Sequence, residues 1–191
     1  MLGVLVLLCL SLSSSAAASD VAYDVLGSGS VLVAGNISIR NTVGAPSEWV
    51  SNQFTASPRF MYYIIPNLAL GAGVDWNWFS HATSLMELGI GPRLGYYLGK
   101  QNAKGHPFVE TGLSLRSRTT DVGKRDEDGW TGAGIDVNVG LISMIGSSWG
   151  TEVRIGYLWE TLAQSGRAKA GGVFTLGAGL AGWAKRPQDL K

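Results

Sequence analysis

From Leu70 to Trp78, apolar and polar or small residues alternate without a break. Leu70, Ala72, Val74, Trp76 and Trp78 interleave with Gly71, Gly73, Asp75 and Asn77. The pattern returns from Met86 to Tyr96, where Met86, Leu88, Ile90, Pro92, Leu94 and Tyr96 interleave with Glu87, Gly89, Gly91, Arg93 and Gly95. Successive side chains of a strand point to opposite faces, so each segment builds one apolar face and one face of glycine and charge. Several such segments, each of about ten residues or more, are what a lipid-spanning β-barrel requires.

Eight strands are predicted, over Gly29–Asn41, Gln53–Ile65, Leu68–Phe79, Ser84–Leu98, Pro107–Arg118, Trp130–Ile145, Trp149–Thr161 and Gly171–Trp183. Their number and hairpin spacing predict an all-β protein, an eight-stranded antiparallel up-and-down transmembrane barrel that closes on itself and leaves no exposed edge. Pro66-Asn67 and Gly146-Ser147-Ser148 carry tight-turn chemistry, and Gly99–His106 is of moderate length. Thr42–Asn52, Thr119–Gly129 and Leu162–Ala170 read as longer polar loops, whereas Ser80–Thr83 is short. Short turns at one rim and longer loops at the other are the asymmetry of outer-membrane barrels. With a periplasmic N-terminus, the longer loops fall outside the cell.

Alternation alone leaves open which face points inward, since a soluble lipocalin-like carrier has the same period with its apolar face inside. Lysine placement favours the membrane. Lys100, Lys104, Lys124, Lys169, Lys185 and Lys191 all fall in predicted turns, loops or the tail, whereas a water-facing wall would carry lysines in its strands. The charges within strands balance: Arg40, Arg59, Arg93, Arg116 and Arg154 against Asp75, Glu87, Glu110, Asp136, Glu152 and Glu160. Paired guanidinium and carboxylate groups are what a low-dielectric interior tolerates. These eleven residues are therefore expected to form an ion-pair network in the lumen, with the glycines of the same face making room. Trp49, Phe54, Trp76, Trp78, Trp130, Trp149, Trp159 and Trp183 lie toward strand ends, where interfacial girdles belong.

Composition narrows the reading. Charged residues are 15% of the chain and glycines number 27, against roughly 25% charge and half that glycine share in ordinary soluble domains. A net charge of +1 gives no reason to expect nucleic acid as a partner. The apolar run Leu2–Leu12 followed by Ser13–Ser19 reads as a secretory signal peptide cleaved after Ala18. Cys9 would leave with it, so the mature chain is expected to have no disulfide and no thiolate metal site. The expected organisation is a signal peptide (1–18), a short periplasmic segment (19–28), the barrel (29–184) and a periplasmic tail (185–191).

Arg59-Phe60-Met61-Tyr62-Tyr63 with Pro66-Asn67-Leu68-Ala69-Leu70, then Gly91-Pro92-Arg93-Leu94-Gly95-Tyr96-Tyr97 and Pro107-Phe108-Val109-Glu110-Thr111-Gly112, resemble the repeating hairpin pattern of small outer-membrane β-barrels of the OmpA/OmpX type. The resemblance spans nearly all of the chain after the signal. It implies a Gram-negative outer membrane, contact with its lipids including lipopolysaccharide, and insertion by the outer-membrane assembly machinery. It also implies a final strand with an aromatic insertion signal, for which Val173–Trp183 is the counterpart, although Ala184–Lys191 extends past it.

The remaining motifs carry little chemistry. Gly177-Ala178-Gly179-Leu180-Ala181-Gly182 matches G-x-G-x-x-G but falls within a predicted strand, where no dinucleotide turn can form. His81-Ala82-Thr83-Ser84 is the nearest approach to a His–Ser pair of a lipid-modifying enzyme, and His106 reads as a turn residue. Lys124-Arg125-Asp126-Glu127-Asp128-Gly129 reads as a solvated external loop, short of the oxygen ligands a Ca²⁺ site needs. No catalytic residue, cofactor or metal is expected. The leading expectation is a non-enzymatic structural or surface-interaction protein of the outer membrane; a narrow pore, a lipid-modifying enzyme and a soluble carrier stand behind it. The partner of the loops is not legible.

Overall fold

The computed structural model describes residues 25–43, 53–80, 84–100, 103–120, 128–164 and 167–184. They form eight strands: β1 (Val31–Val43), β2 (Gln53–Ile65), β3 (Leu68–Ser80), β4 (Ser84–Tyr97), β5 (Gly105–Thr120), β6 (Asp128–Met144), β7 (Trp149–Gln164) and β8 (Arg167–Ala184). Each pairs antiparallel with the next, and β8 closes onto β1. Every strand is thus bonded on both sides, which is how a sheet satisfies its backbone in hydrocarbon.

Residue pairing fixes the stagger of the barrel. Moving across the pairs from Leu32 through Met61, Gly71, Arg93, Gly112, Asp136, Leu158 and Val173 returns to β1 at Thr42. That is ten residues beyond the start, a stagger that tilts eight strands by about 40° and leaves an interior just wide enough for side chains.

The faces are oriented as a membrane wall requires. Leu70, Leu88 and Ile155 are exposed on the outside at 50%, 41% and 56%, and Val74 is only half-buried. A soluble carrier would gather these residues into a central cluster, and none belongs to one. Phe54, Trp76 and Trp159 are exposed toward the loop end and Trp149 toward the end that holds both barrel termini, giving aromatics at both margins of the apolar band.

Several sequence expectations need correction. The expected loop Leu162–Ala170 is largely strand, with Leu162 paired to Lys169 and Gln164 to Arg167. Its alanines and polar residues carry little apolar signal, yet the alternation persists, since Leu162 points inward and is buried. Lys169 accordingly lies in β8, with its ammonium 4.9 Å from the Trp130 ring centroid, so lysines are not wholly excluded from strands. Strands β5 and β8 also begin earlier than Pro107 and Gly171, while β1 starts at Val31 rather than Gly29.

The residues just before β1 enter the barrel mouth. Gly29 takes a φ of 88°, a left-handed conformation that glycine adopts without steric cost, and the chain folds back so that Leu26 is wholly buried. The Asn67 amide donates to the Leu26 carbonyl at 2.9 Å, and the Gly29 amide to the Tyr63 carbonyl at 2.8 Å. Val25 and Leu26 pack with Leu32, Met61, Tyr63, Tyr97, Phe108, Ile142 and Trp183. This apolar plug caps the end of the lumen nearest the barrel termini.

Candidate functional site in the barrel lumen

Above the plug, the inward positions of the strands carry charge instead of hydrocarbon. The structure brings Arg40, Arg59, Asp75, Glu87, Arg93, Glu110, Arg116, Asp136, Glu152, Arg154 and Glu160 together there, each on the inward side of its strand. All are buried except Asp75, whose side chain is 15% exposed.

The tier nearest the plug is built on Arg59. Its Nε lies 2.9 Å from Glu110 Oε1, while Nη1 and Nη2 reach the two oxygens of Glu152 at 3.1 and 2.5 Å. The Tyr97 hydroxyl donates to Glu110 Oε1. In the middle tier, Arg93 Nη1 meets Asp136 Oδ1 at 2.8 Å and Arg93 Nη2 meets Asp75 at 3.3 Å, with Asn138 donating to the same Asp136 oxygen. The tier toward the loops centres on Glu87. It accepts from Arg40 Nη1 at 2.8 Å, from Arg118 Nη2 at 2.8 Å and from Arg116 Nη2. Glu160 binds Arg116 Nε at 2.9 Å and Arg118 Nη2 at 2.7 Å.

Arg118 is the member that sequence reasoning missed. It stands two residues beyond Arg116 on the same strand face, a spacing that carries the signal, but at the very end of the predicted strand. With it, six arginines face six carboxylates, and the described lumen is formally neutral. Such pairing offsets the desolvation cost of burial only because each charge gains directed hydrogen bonds.

Glycine supplies the space. A Cβ at Gly73 would fall within 2.8 Å of Arg93 Cδ and closer still to its Nε, and one at Gly89 would lie 2.8 Å from Arg116 Nη1. Gly73 of β3 and Gly89 of β4 are the seats of the Arg93 and Arg116 guanidinium groups.

Two residues sit differently from their sequence assignments. His106, expected in a turn, is fully buried on the inward face of β5, its ring centroid 6.2 Å from that of Trp183. Trp183, expected in an outer girdle, also points inward and donates from Nε1 to the Tyr63 hydroxyl at 3.3 Å. Both positions follow strand parity. The Gly177–Gly182 motif lies inside β8, where it cannot form a phosphate-binding turn. Cys9, Trp49, His81, residues 124–127 and residues 185–191 lie outside the described residues, as do the side chains of Trp78, Ser84 and Asp128.

No protein-family model and no curated protein sequence matches the chain. Solved structures do resemble it. Neisserial surface protein A superposes with a TM-score of 0.62 at 17% identity, covering 80% of this chain and 95% of that one. The outer-membrane protein OprG from Pseudomonas aeruginosa gives 0.56 at 12% identity, covering 86% of this chain and 100% of its own. Ail, the attachment invasion locus protein of Yersinia pestis, gives 0.51 at 9% identity, covering 81% and 99%. The chain has the fold of the small eight-stranded outer-membrane β-barrels.

Proposed function

We propose that this chain is an integral protein of a Gram-negative outer membrane, a non-enzymatic barrel that carries its external loops to the cell surface in a structural or surface-interaction role. One observation carries the reading. The lumen is filled by a neutral set of buried ion pairs over an apolar plug, inside a wall whose outer face is apolar. A lumen so filled opposes the passage of solute, and each of its carboxylates is held by an arginine instead of being poised for proton transfer or nucleophilic attack. Function then falls to the surfaces outside the barrel. The names of two structural neighbours, a surface protein and an attachment invasion locus protein, support a role borne by loops. Outer-membrane lipids including lipopolysaccharide, and the assembly machinery that inserts the barrel, are the partners this reading requires.

The test joins surface labelling to electrical recording. An epitope inserted between residues 121 and 127 should bind antibody on intact cells, and the purified protein should stay electrically silent in planar bilayers. Steady, selective channels, or an epitope reachable only after lysis, would overturn the reading.

A further inference from the structure

In the middle of the lumen the ion pairs leave a chamber of about 30 Å³ to which all eight strands contribute. That is room for about one water-sized body. Its lining is uneven in charge, with Arg40, Arg93, Arg116 and Arg154 set against Asp75 and Asp136. Both carboxylates are already engaged, Asp75 by Arg93 and Arg116 and Asp136 by Arg93. The free oxygen of Asp136, Oδ2, is turned toward β5, where a Cβ at Gly112 would stand 2.6 Å from it.

The other two arginines are held less completely by carboxylates. Arg40 gives Nη1 to Glu87, but its buried Nη2 has no hydrogen-bond partner, and neither has the buried Thr55 hydroxyl on the same lining. Arg154 has no described carboxylate within hydrogen-bonding distance: Glu152 Oε1 is 3.9 Å from its Nε and Glu110 Oε2 is 4.0 Å from its Nη1. Asn36, its amide oriented carbonyl-first, accepts from Arg154 Nη2 at 2.9 Å, which satisfies a donor without neutralising the charge. A guanidinium cannot shed its proton to relieve this. Ser38, Ser57 and Thr175 add hydroxyls that can rotate to donate, and Asn138, Tyr157 and Leu158 make the rest of the wall.

We propose that this chamber is a binding site for a small monovalent anion of halide size, chloride under physiological conditions, held by Arg40 Nη2, Arg154 and the Thr55 hydroxyl. The lumen as a whole is neutral, but the lining itself carries four arginines against two carboxylates, the glutamates standing off it in the adjoining tiers, and this local positive potential favours an anion over a water molecule; an oxyanion as large as phosphate exceeds the space. The site is independent of whatever the outer loops bind.

Two measurements on the full, folded barrel test it. Crystals grown in sodium bromide should give an anomalous peak inside the chamber, adjacent to Arg40 and Arg154. Urea unfolding in sodium chloride should be about tenfold slower than in sodium gluconate of equal ionic strength, saturating with halide as site binding to the folded state demands. Thr55→Val and Arg154→Gln, each first shown by gel mobility to be folded, should lose most of that difference. Should Arg154→Gln not fold, Thr55→Val alone carries the comparison, since it removes a hydroxyl and no charge. A chamber without bromide, unfolding rates equal in the two salts, or a halide effect undiminished in Thr55→Val would each overturn the proposal.

Discussion

Arg59 grips Glu152 with both ends of its guanidinium fork, Nη1 to Oε1 at 3.1 Å and Nη2 to Oε2 at 2.5 Å, across a separation of 93 residues in sequence. The contact ties β2 to β7 through the lumen, between strands that share no backbone hydrogen bond. Removing one partner strands the other as a buried charge. Glu152→Gln should therefore lower stability by about 3–5 kcal/mol, read from urea unfolding in lipid. Arg59→Lys should also destabilise, because an ammonium cannot form the two-point contact. Wild-type stability in either variant would show that the pair does not hold the barrel.

Gly73 and Arg93 test the steric side of the same network. Gly73→Val places branched carbon where the Arg93 side chain now runs, breaking its contacts with Asp75 and Asp136. Overpacking costs about 1–3 kcal/mol, and the stranded carboxylates add to it. A companion Arg93→Ala change should recover part of the loss, and additive losses in the pair would contradict the seating of Arg93 over Gly73.

Much of this architecture is legible in the chain, and the missing parts have a common cause. Alternation announces every strand and the inward or outward sense of residues such as Ile155 and Arg154, because period two is a local property. Arg118 was missed although the predicted strand reached it, because whether a strand's last residue faces the lumen or the rim depends on its neighbour, here Trp130 of β6, which one strand's pattern does not contain. The same limit hid the β7–β8 hairpin, whose Leu162–Lys169 pair is made of residues with no strand signature of their own. His106 and Trp183 meet in the plug because both occupy inward positions at the same end, a relation that needs closure to be seen. Val25 and Leu26 offered no periodicity at all. Which arginine meets which carboxylate depends on the ten-residue stagger, a property of the whole barrel.

The outer wall makes a depth-dependent prediction. Ile155→Lys, on the exposed apolar face of β7, should cost about 2–4 kcal/mol in a bilayer, whereas Thr161→Lys, on the same face nearer the loop end, should cost about 0–1. Equilibrium unfolding in phospholipid vesicles reads both. Equal costs at the two positions would place the apolar band elsewhere on the wall.

His106 offers a stabilising change. Among the described residues neither ring nitrogen of this buried side chain makes a well-formed hydrogen bond, although the Leu98 backbone stands close by, and its neighbour is the Trp183 ring. His106→Phe keeps a flat ring there and removes two unsatisfied polar atoms, whose burial costs about 1–3 kcal/mol each. The variant should match or exceed wild-type stability in urea; a marked loss would mean that the imidazole nitrogens are engaged.

The account turns on which side of the wall the acyl chains touch. Methyl-resolved nuclear Overhauser spectra in lipid nanodiscs measure that contact directly. Acyl-chain protons should give cross-peaks to the methyls of Leu113, Ile135, Val137 and Ile155, and none to Leu26, Leu32, Leu158 or Val173. Lipid contacts to the second set, or bulk-water contacts to the first, would contradict it.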